Sequence, residues 1–274
     1  MKTILILSTG RVGSKFLIRL FSESFSNLEA HHGGPYSRFF NVLGNMCLAN
    51  LLPNRMVGKV YSQMIGRVVR RCPAEFYLDA NAYVVGLLPY LDKAYPNLKI
   101  VHLVRDPRDV VRSYINWIHT RPASWLAHHF IPFWQPKPSL TALGSWTKLL
   151  SEELFDRLAW VWALKNSKFM ELSEFEVPYH MVRFEDLFAV PNGKVEFVRL
   201  LEFMGLPSVD IPGNRLDQKI NQTTKKNFPH WTEWSPDLCA HLTSICGTAM
   251  IRYGYGNEQE WLEQLRKAEG SKSK

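Results

Sequence analysis

Thr3-Ile4-Leu5-Ile6-Leu7-Ser8-Thr9-Gly10-Arg11-Val12-Gly13-Ser14-Lys15-Phe16-Leu17 is the stretch on which the fold turns. Its first six residues form a continuous run rich in Ile and Leu, closed by Thr9-Gly10, and read as a strand buried on both faces. From Ser14 to about Phe25 the apolar residues Phe16, Leu17, Leu20, Phe21 and Phe25 recur at helical spacing. Strand, glycine-bearing turn and helix in that order open an α/β fold. Glycines at 10 and 13 let the backbone turn tightly and bring its N–H groups close to an anion. A helix starting at Ser14 adds N-terminal donors and the positive end of its dipole. Arg11 and Lys15 contribute full charges and Ser14 a hydroxyl, so Gly10 to Phe16 reads as a phosphate cradle. The loop is not G-x-x-x-x-G-K-[ST], because Lys15 precedes Phe16 and no hydroxyl stands where Mg²⁺ would need one. Nor is it G-x-G-x-x-G. The competing reading is a plain strand–helix turn whose glycines serve geometry alone.

Outward from this stretch the same alternation continues. Residues 36–71 read as mostly helical with a break near Pro53, Phe76-Tyr77-Leu78 as a second strand, and 83–94 as a helix. Lys99 to Val104 (KIVHLV) is a third buried strand and Pro107 to Trp117 the helix after it. The stretch 118–145 holds Pro122, Pro132, Pro136 and Pro138 with Trp125, Trp134 and His128-His129, and reads as an irregular insertion. Trp125 and Trp134 have loop or core packing as their ordinary fate and an acceptor pocket as the functional alternative. Helices resume over 146–170. Tyr179 to Arg183 is a fourth strand, Val195 to Met204 an amphipathic helix stopped by Gly205, and 237–251 a last packed helix. From about 268 the tail reads as frayed. The expectation is one domain over 1–274, an α/β fold with a central, mostly parallel sheet flanked by helices.

The chain has 274 residues, 46% hydrophobic and 21% charged, which excludes disordered, collagenous and coiled-coil classes. Lys and Arg number 33 against 25 acids, a net charge of +8, which suits an anionic ligand, nucleic acid or a membrane surface. Four cysteines without a C-x-x-C pair make neither a disulfide scaffold nor a zinc site. No run approaches the ~18 apolar residues of a membrane span, and the N-terminus lacks signal-peptide features. The expected location is therefore cytoplasmic, with no membrane span.

A second motif follows the third strand: Val101-His102-Leu103-Val104-Arg105-Asp106-Pro107-Arg108-Asp109-Val110-Val111-Arg112-Ser113-Tyr114. Arg105 stands at the strand's carboxyl end, where open α/β sheets bind ligands. Asp106 reads as the helix N-cap and Pro107 as N1, a structural role that does not compete with a functional one. The pair 8–17 and 101–114 resembles the PAPS-dependent sulfotransferases in their bacterial and Golgi-type branch. Val182-Arg183-Phe184-Glu185-Asp186-Leu187, Phe203-Met204-Gly205-Leu206-Pro207, the segment 221–231 and Tyr253-Gly254-Tyr255 add supporting likeness, so the resemblance spans 3–256.

That resemblance implies a P-loop-kinase-like sulfotransferase fold and PAPS as co-substrate, with PAP as product and no metal. It places the 5′-phosphosulfate on Gly10, Arg11, Val12, Gly13, Ser14, Lys15 and Phe16. The 3′-phosphate falls to Arg105 and Ser113, eight residues apart as in the family, and a late basic contact to Lys225 or Lys226. Val12 and Lys15 depart from the family's usual Ser and Ser/Thr. Arg11, then Lys15, are the candidates to face the leaving phosphate oxygen. The family's base lies about 21 residues after the loop arginine, which is His32, with His31 and Glu29 as rivals because the register could slip by one residue. In the cytosolic branch the base is a His after the next strand; the matching place here is Leu78-Asp79-Ala80-Asn81. The expected partner is a small-molecule, lipid or glycan acceptor, with no nucleic acid, and the oligomeric state is not readable. The rival functions are an ATP-dependent kinase of related fold, and a non-catalytic module binding 3′-phosphoadenosine nucleotides.

Overall fold

The computed structural model describes residues 1–131, 133–136, 153–188, 193–208 and 228–272. Two compact units share them. The described residues of Met1–Val104, Pro132–Gln135 and Lys168–Gln222 make the first, and those of Arg105–Ile131, Pro136–Ser167 and Thr223–Lys274 the second.

The first unit is built on five strands: β1 (Lys2–Leu7), β2 (Leu28–His32), β3 (Phe76–Asn81), β4 (Leu98–Val104) and β5 (Tyr179–Arg183). Their order is β2-β3-β1-β4-β5 and all four pairings are parallel. The apolar runs become the central strands because a strand covered on both faces has no solvated side on which to place polar residues. Ile4, Leu5, Ile6 and Leu7 are all fully buried. The chain leaves β1 toward β2 on one side of it and leaves β4 toward β5 on the other, so the connections diverge at β1 and β4. In open sheets that divergence opens a ligand crevice at the strands' carboxyl ends.

Helix α1 (Ser14–Ser24) follows β1, and α2 (Ser37–Leu48) and α3 (Asn54–Arg70) follow β2. Phe40 of α2 and Val57, Tyr61, Ile65 and Val69 of α3 pack in one core with Leu5, Leu7, Tyr77 and Ile100 of the sheet. Residues 83–94 fold as a 3₁₀ turn (Val85–Tyr90) that runs into the one-turn helix α4 (Leu91–Ala94). Pro89 inside this stretch removes a backbone donor, which accounts for the tighter winding.

In the second unit, α5 (Pro107–His119) starts as its sequence predicts. The Asp106 side chain accepts from the Arg108 N–H at 2.8 Å and Pro107 stands at the first helical turn. Three expectations need correction. Residues 122–130, expected to be irregular, form a helix (α6, Pro122–Phe130), with Pro122 in the first turn, where its missing N–H costs nothing. The remainder of the supposed insertion from 137 onward lies outside the described residues. The tail expected to fray from 268 is instead helical over Gln259–Lys272, held by Trp261 and Ala268, each about 1% exposed. Finally, β2 was not expected at all. Its sequence, LEAHH, has no apolar run, because as an edge strand it needs none.

Candidate phosphate-binding and catalytic site

Gly10, Arg11 and Gly13 all adopt left-handed backbone conformations, with φ of 86°, 59° and 75°. Arg11 is the costly one, since a residue with a Cβ sits there at roughly 1–2 kcal/mol. Strain of that kind collects at functional turns. The turn delivers the chain to α1, whose N-cap Gly13 offers no side-chain cap and whose first turn carries no acid. An anion approaching this end meets backbone donors and the positive end of the dipole with no competing carboxylate. Arg11 is half-buried, Lys15 exposed and Ser14 buried. Val12 and Phe16 are 0% and 7% exposed. Neither side chain faces solvent, so Val12 can meet a ligand only through its backbone, while the Phe16 N–H is already taken by Gly13 O at 2.9 Å.

Gly13 is required by space as well as by φ. A Cβ there would stand 2.9 Å from the Phe184 ring. Phe184 packs on Phe188 with ring centroids 4.5 Å apart, and Phe188 meets Phe16 at 5.5 Å. The aromatic of the Arg183-Phe184-Glu185-Asp186 motif is thus the floor beneath the turn. Gly13→Ala is expected to lower unfolding stability by about 1–3 kcal/mol, from left-handed strain plus the clash. Chemical denaturation checks this, and a change within ~0.3 kcal/mol would mean the turn relaxes freely.

Strand alternation sorts the candidate bases. His32, expected in a loop, is the last residue of β2, and Ser14 Oγ lies 3.2 Å from its Nε2. The pKa of His32 is lowered from 6.5, first by the protein that surrounds the ring and then by the Lys15 charge. The ring nevertheless keeps an exposed side. At neutral pH it is therefore an uncharged imidazole beside the turn. His31 and Glu29 point to the other face of β2, because successive strand side chains alternate. They pair with each other at 2.8 Å, Cys72 Sγ donates to Glu29 at 3.0 Å, and the His31 ring lies 5.0 Å from Tyr77. The Cys72 thiol is the first cause holding the Glu29 carboxyl below its usual range.

A group that the sequence analysis passed over closes this end of β2. Asp79 in β3 is 1% exposed and accepts the Gly34 N–H at 2.9 Å, while Asn81 Nδ2 donates to it at 3.0 Å. Burial pushes its pKa up to about 6 despite both bonds. Together with the Gly33 N–H bond to Ala80 O, it pins the turn that follows His32. No local signal marks this role, since Asp79 and Gly34 are 45 residues apart.

In the second unit, Arg105 donates through Nη2 to Asp109 at 2.8 Å, one turn into α5, and its carbonyl accepts from Trp162 Nε1 at 2.9 Å. Ser113 is half-buried on α5. Arg108 is 1% exposed, bonded to Asp106 and Glu258, with its guanidinium 4.4 Å from the Trp231 ring and 4.8 Å from Trp261. That cluster fixes the start of α5, and with it the backbone next to Arg105. Lys225 and Lys226 lie outside the described residues.

The profile of the Sulfotransferase family matches residues 21–210, well over half of the chain. Among solved structures, the sulfotransferase from Alicyclobacillus acidocaldarius is similar at 16% identity and a TM-score of 0.54, covering 92% of this chain and 94% of that one. The sulfotransferase domain from the curacin biosynthetic pathway is similar at 18% identity and a TM-score of 0.49, covering 98% and 97%. No curated protein matches the sequence. At 16% identity the Alicyclobacillus acidocaldarius structure speaks for the fold alone. The profile speaks for descent, although it begins inside α1, past the phosphate turn. On that match, this chain belongs to the sulfotransferase family.

Proposed function

We propose that this protein transfers a sulfuryl group from PAPS to a hydroxyl, or an amine, of a small-molecule, lipid or carbohydrate acceptor. The observation that carries the reading is the His32 ring 3.2 Å from Ser14, at a strained turn that presents Arg11 and an uncapped helix N-terminus. The residues fit an anionic phosphosulfate: backbone donors at Gly13 to Lys15, cations at 11 and 15, and no acid in the first helical turn. When bound, PAPS supplies an activated sulfuryl group whose departure places charge on a phosphate oxygen, in a loose, in-line displacement. Arg11, with Lys15 second, stabilises that developing charge. His32 takes the acceptor's proton as the acceptor oxygen bonds to sulfur, and its depressed pKa keeps it competent at pH 7. Ser14 orients the imidazole through its hydroxyl. Arg105 and Ser113 take the 3′-phosphate, which is the contact that would distinguish PAPS from ATP.

The test is a titration with 3′,5′-adenosine bisphosphate, beside ATP with Mg²⁺, on wild type and Arg105→Ala. Metal-free binding of the bisphosphate, weakened about 10–100-fold in the variant, is the expected result for loss of one charge-assisted phosphate contact. A preference for ATP–Mg²⁺ would replace this reading with a kinase. Binding without turnover on any acceptor, and no effect of replacing His32, would leave a non-catalytic nucleotide-binding module.

A further inference from the structure

Residues 33–71, which hold α2 and α3, carry Arg38, Arg55, Lys59, Arg67, Arg70 and Arg71 and not one Asp or Glu. Most of the excess charge of the whole chain, +8, thus sits in these 39 residues. None of the six cations forms an ion pair with a described residue.

The pattern along α3 is regular. Val57, Tyr61, Ile65 and Val69, four apart, form the ridge buried in the core. The next ridge, Met56, Val60, Met64 and Val68, is apolar as well; Met56 and Val60 face outward, 59% and 42% exposed, while Met64 and Val68 are half-buried and Met64 packs against the core. Beside it runs a third ridge of Arg55, Lys59, Gln63 and Arg67, continued by Arg71 just past the helix. In its first half α3 thus offers solvent an apolar pair, Met56 and Val60, about 6 Å apart along the axis and flanked by cations. Phe39 of α2 and Leu51 in the turn between the helices are exposed as well, 55% and 43%, and Arg38 precedes Phe39 in the chain. A cavity of about 450 Å³ opens at the far end between Tyr36, Met64, Arg67, Val68, Arg71 and, from β2, the Glu29 carboxylate.

A solvated surface helix would carry acids among its bases and keep its large apolar groups covered. This one does neither. We infer that the α2–α3 face docks on an anionic lipid bilayer, with Phe39, Leu51, Met56 and Val60 entering the headgroup boundary and the six cations meeting lipid phosphates. An acidic protein groove is the poorer fit, because the cations are spread over two helices with no acid of residues 33–71 among them to set a register, Glu29 of β2 standing only at the far end. The inference does not depend on sulfuryl transfer. It holds or fails whatever the enzyme's donor.

The experiment is cosedimentation of the full chain with vesicles of phosphatidylcholine alone or with 30% phosphatidylglycerol, at ~0.1 M salt. Wild type is expected to pellet with the anionic vesicles only. Arg55→Gln with Lys59→Gln should weaken partitioning about 25-fold, at about fivefold per cation. Met56→Gln with Val60→Gln should weaken it about tenfold or more. Both pairs are on solvent-facing positions, so circular dichroism should show wild-type folding. Absence of wild-type pelleting would overturn the inference. So would pelleting that ignores the Met56/Val60 pair, and heparin or RNA competing with equal strength would then name a soluble polyanion instead.

Discussion

His32→Ala is expected to reduce kcat by about 10²–10⁴ with little change in KM for the acceptor, the usual worth of a positioned general base. The rate–pH profile makes the expectation specific. Burial and Lys15 hold the His32 pKa below 6.5, so the base form dominates at pH 7. Wild-type kcat should rise as pH climbs through that lowered pKa and be flat above it, and the rising limb should vanish in the variant. Lys15→Ala removes one of the two causes of the shift and should move the limb to higher pH. His31→Ala provides the control. Its side chain is on the opposite face, paired with Glu29, and should leave the profile unchanged. Equal losses from His31 and His32 would mean that β2, rather than one imidazole, is what matters.

Arg11→Ala is expected to lower turnover by about 10²–10³, the scale seen when a donor to developing charge is lost. Affinity for 3′,5′-adenosine bisphosphate should fall much less, because the interaction strengthens as charge builds on the leaving oxygen. Arg11→Lys should recover part of the rate. The substitution also tests the strain at this position. Arg11 holds a φ of 59°, which alanine tolerates no better, so stability should not rise in Arg11→Ala. Arg11→Gly should be more stable than Arg11→Ala and equally slow. A variant that loses affinity and rate in the same proportion would assign Arg11 to ground-state binding only.

The parts of the molecule legible in the chain are those whose cause is local. The run from Thr3 to Ser8 can only be a strand covered on both faces, and the glycines after it can only be a turn. Asp106-Pro107 announces a helix start with its own cap, and the structure places that cap bond at 2.8 Å. The strand, turn and cap readings used neighbours within a few residues, where propensity and sterics act directly. The spacings of Arg105 and Ser113, and of Arg11 and His32, carry meaning only through the resemblance to sulfotransferases, and the roles drawn from them remain part of the proposal.

What the tertiary structure decided is which distant groups meet. β2 escaped notice because an edge strand with polar side chains has no apolar signature, and its strandness comes from pairing with β3. Only that pairing sets the alternation, which turns His32 toward Ser14 and His31 toward Tyr77. The identity of the side chains is the same in either register, so sequence spacing could not separate them. Phe184 beneath Gly13 and Asp79 beneath Gly34 join residues 171 and 45 positions apart. Their partners are chosen by how sheet and helices pack, a choice that no window of sequence contains.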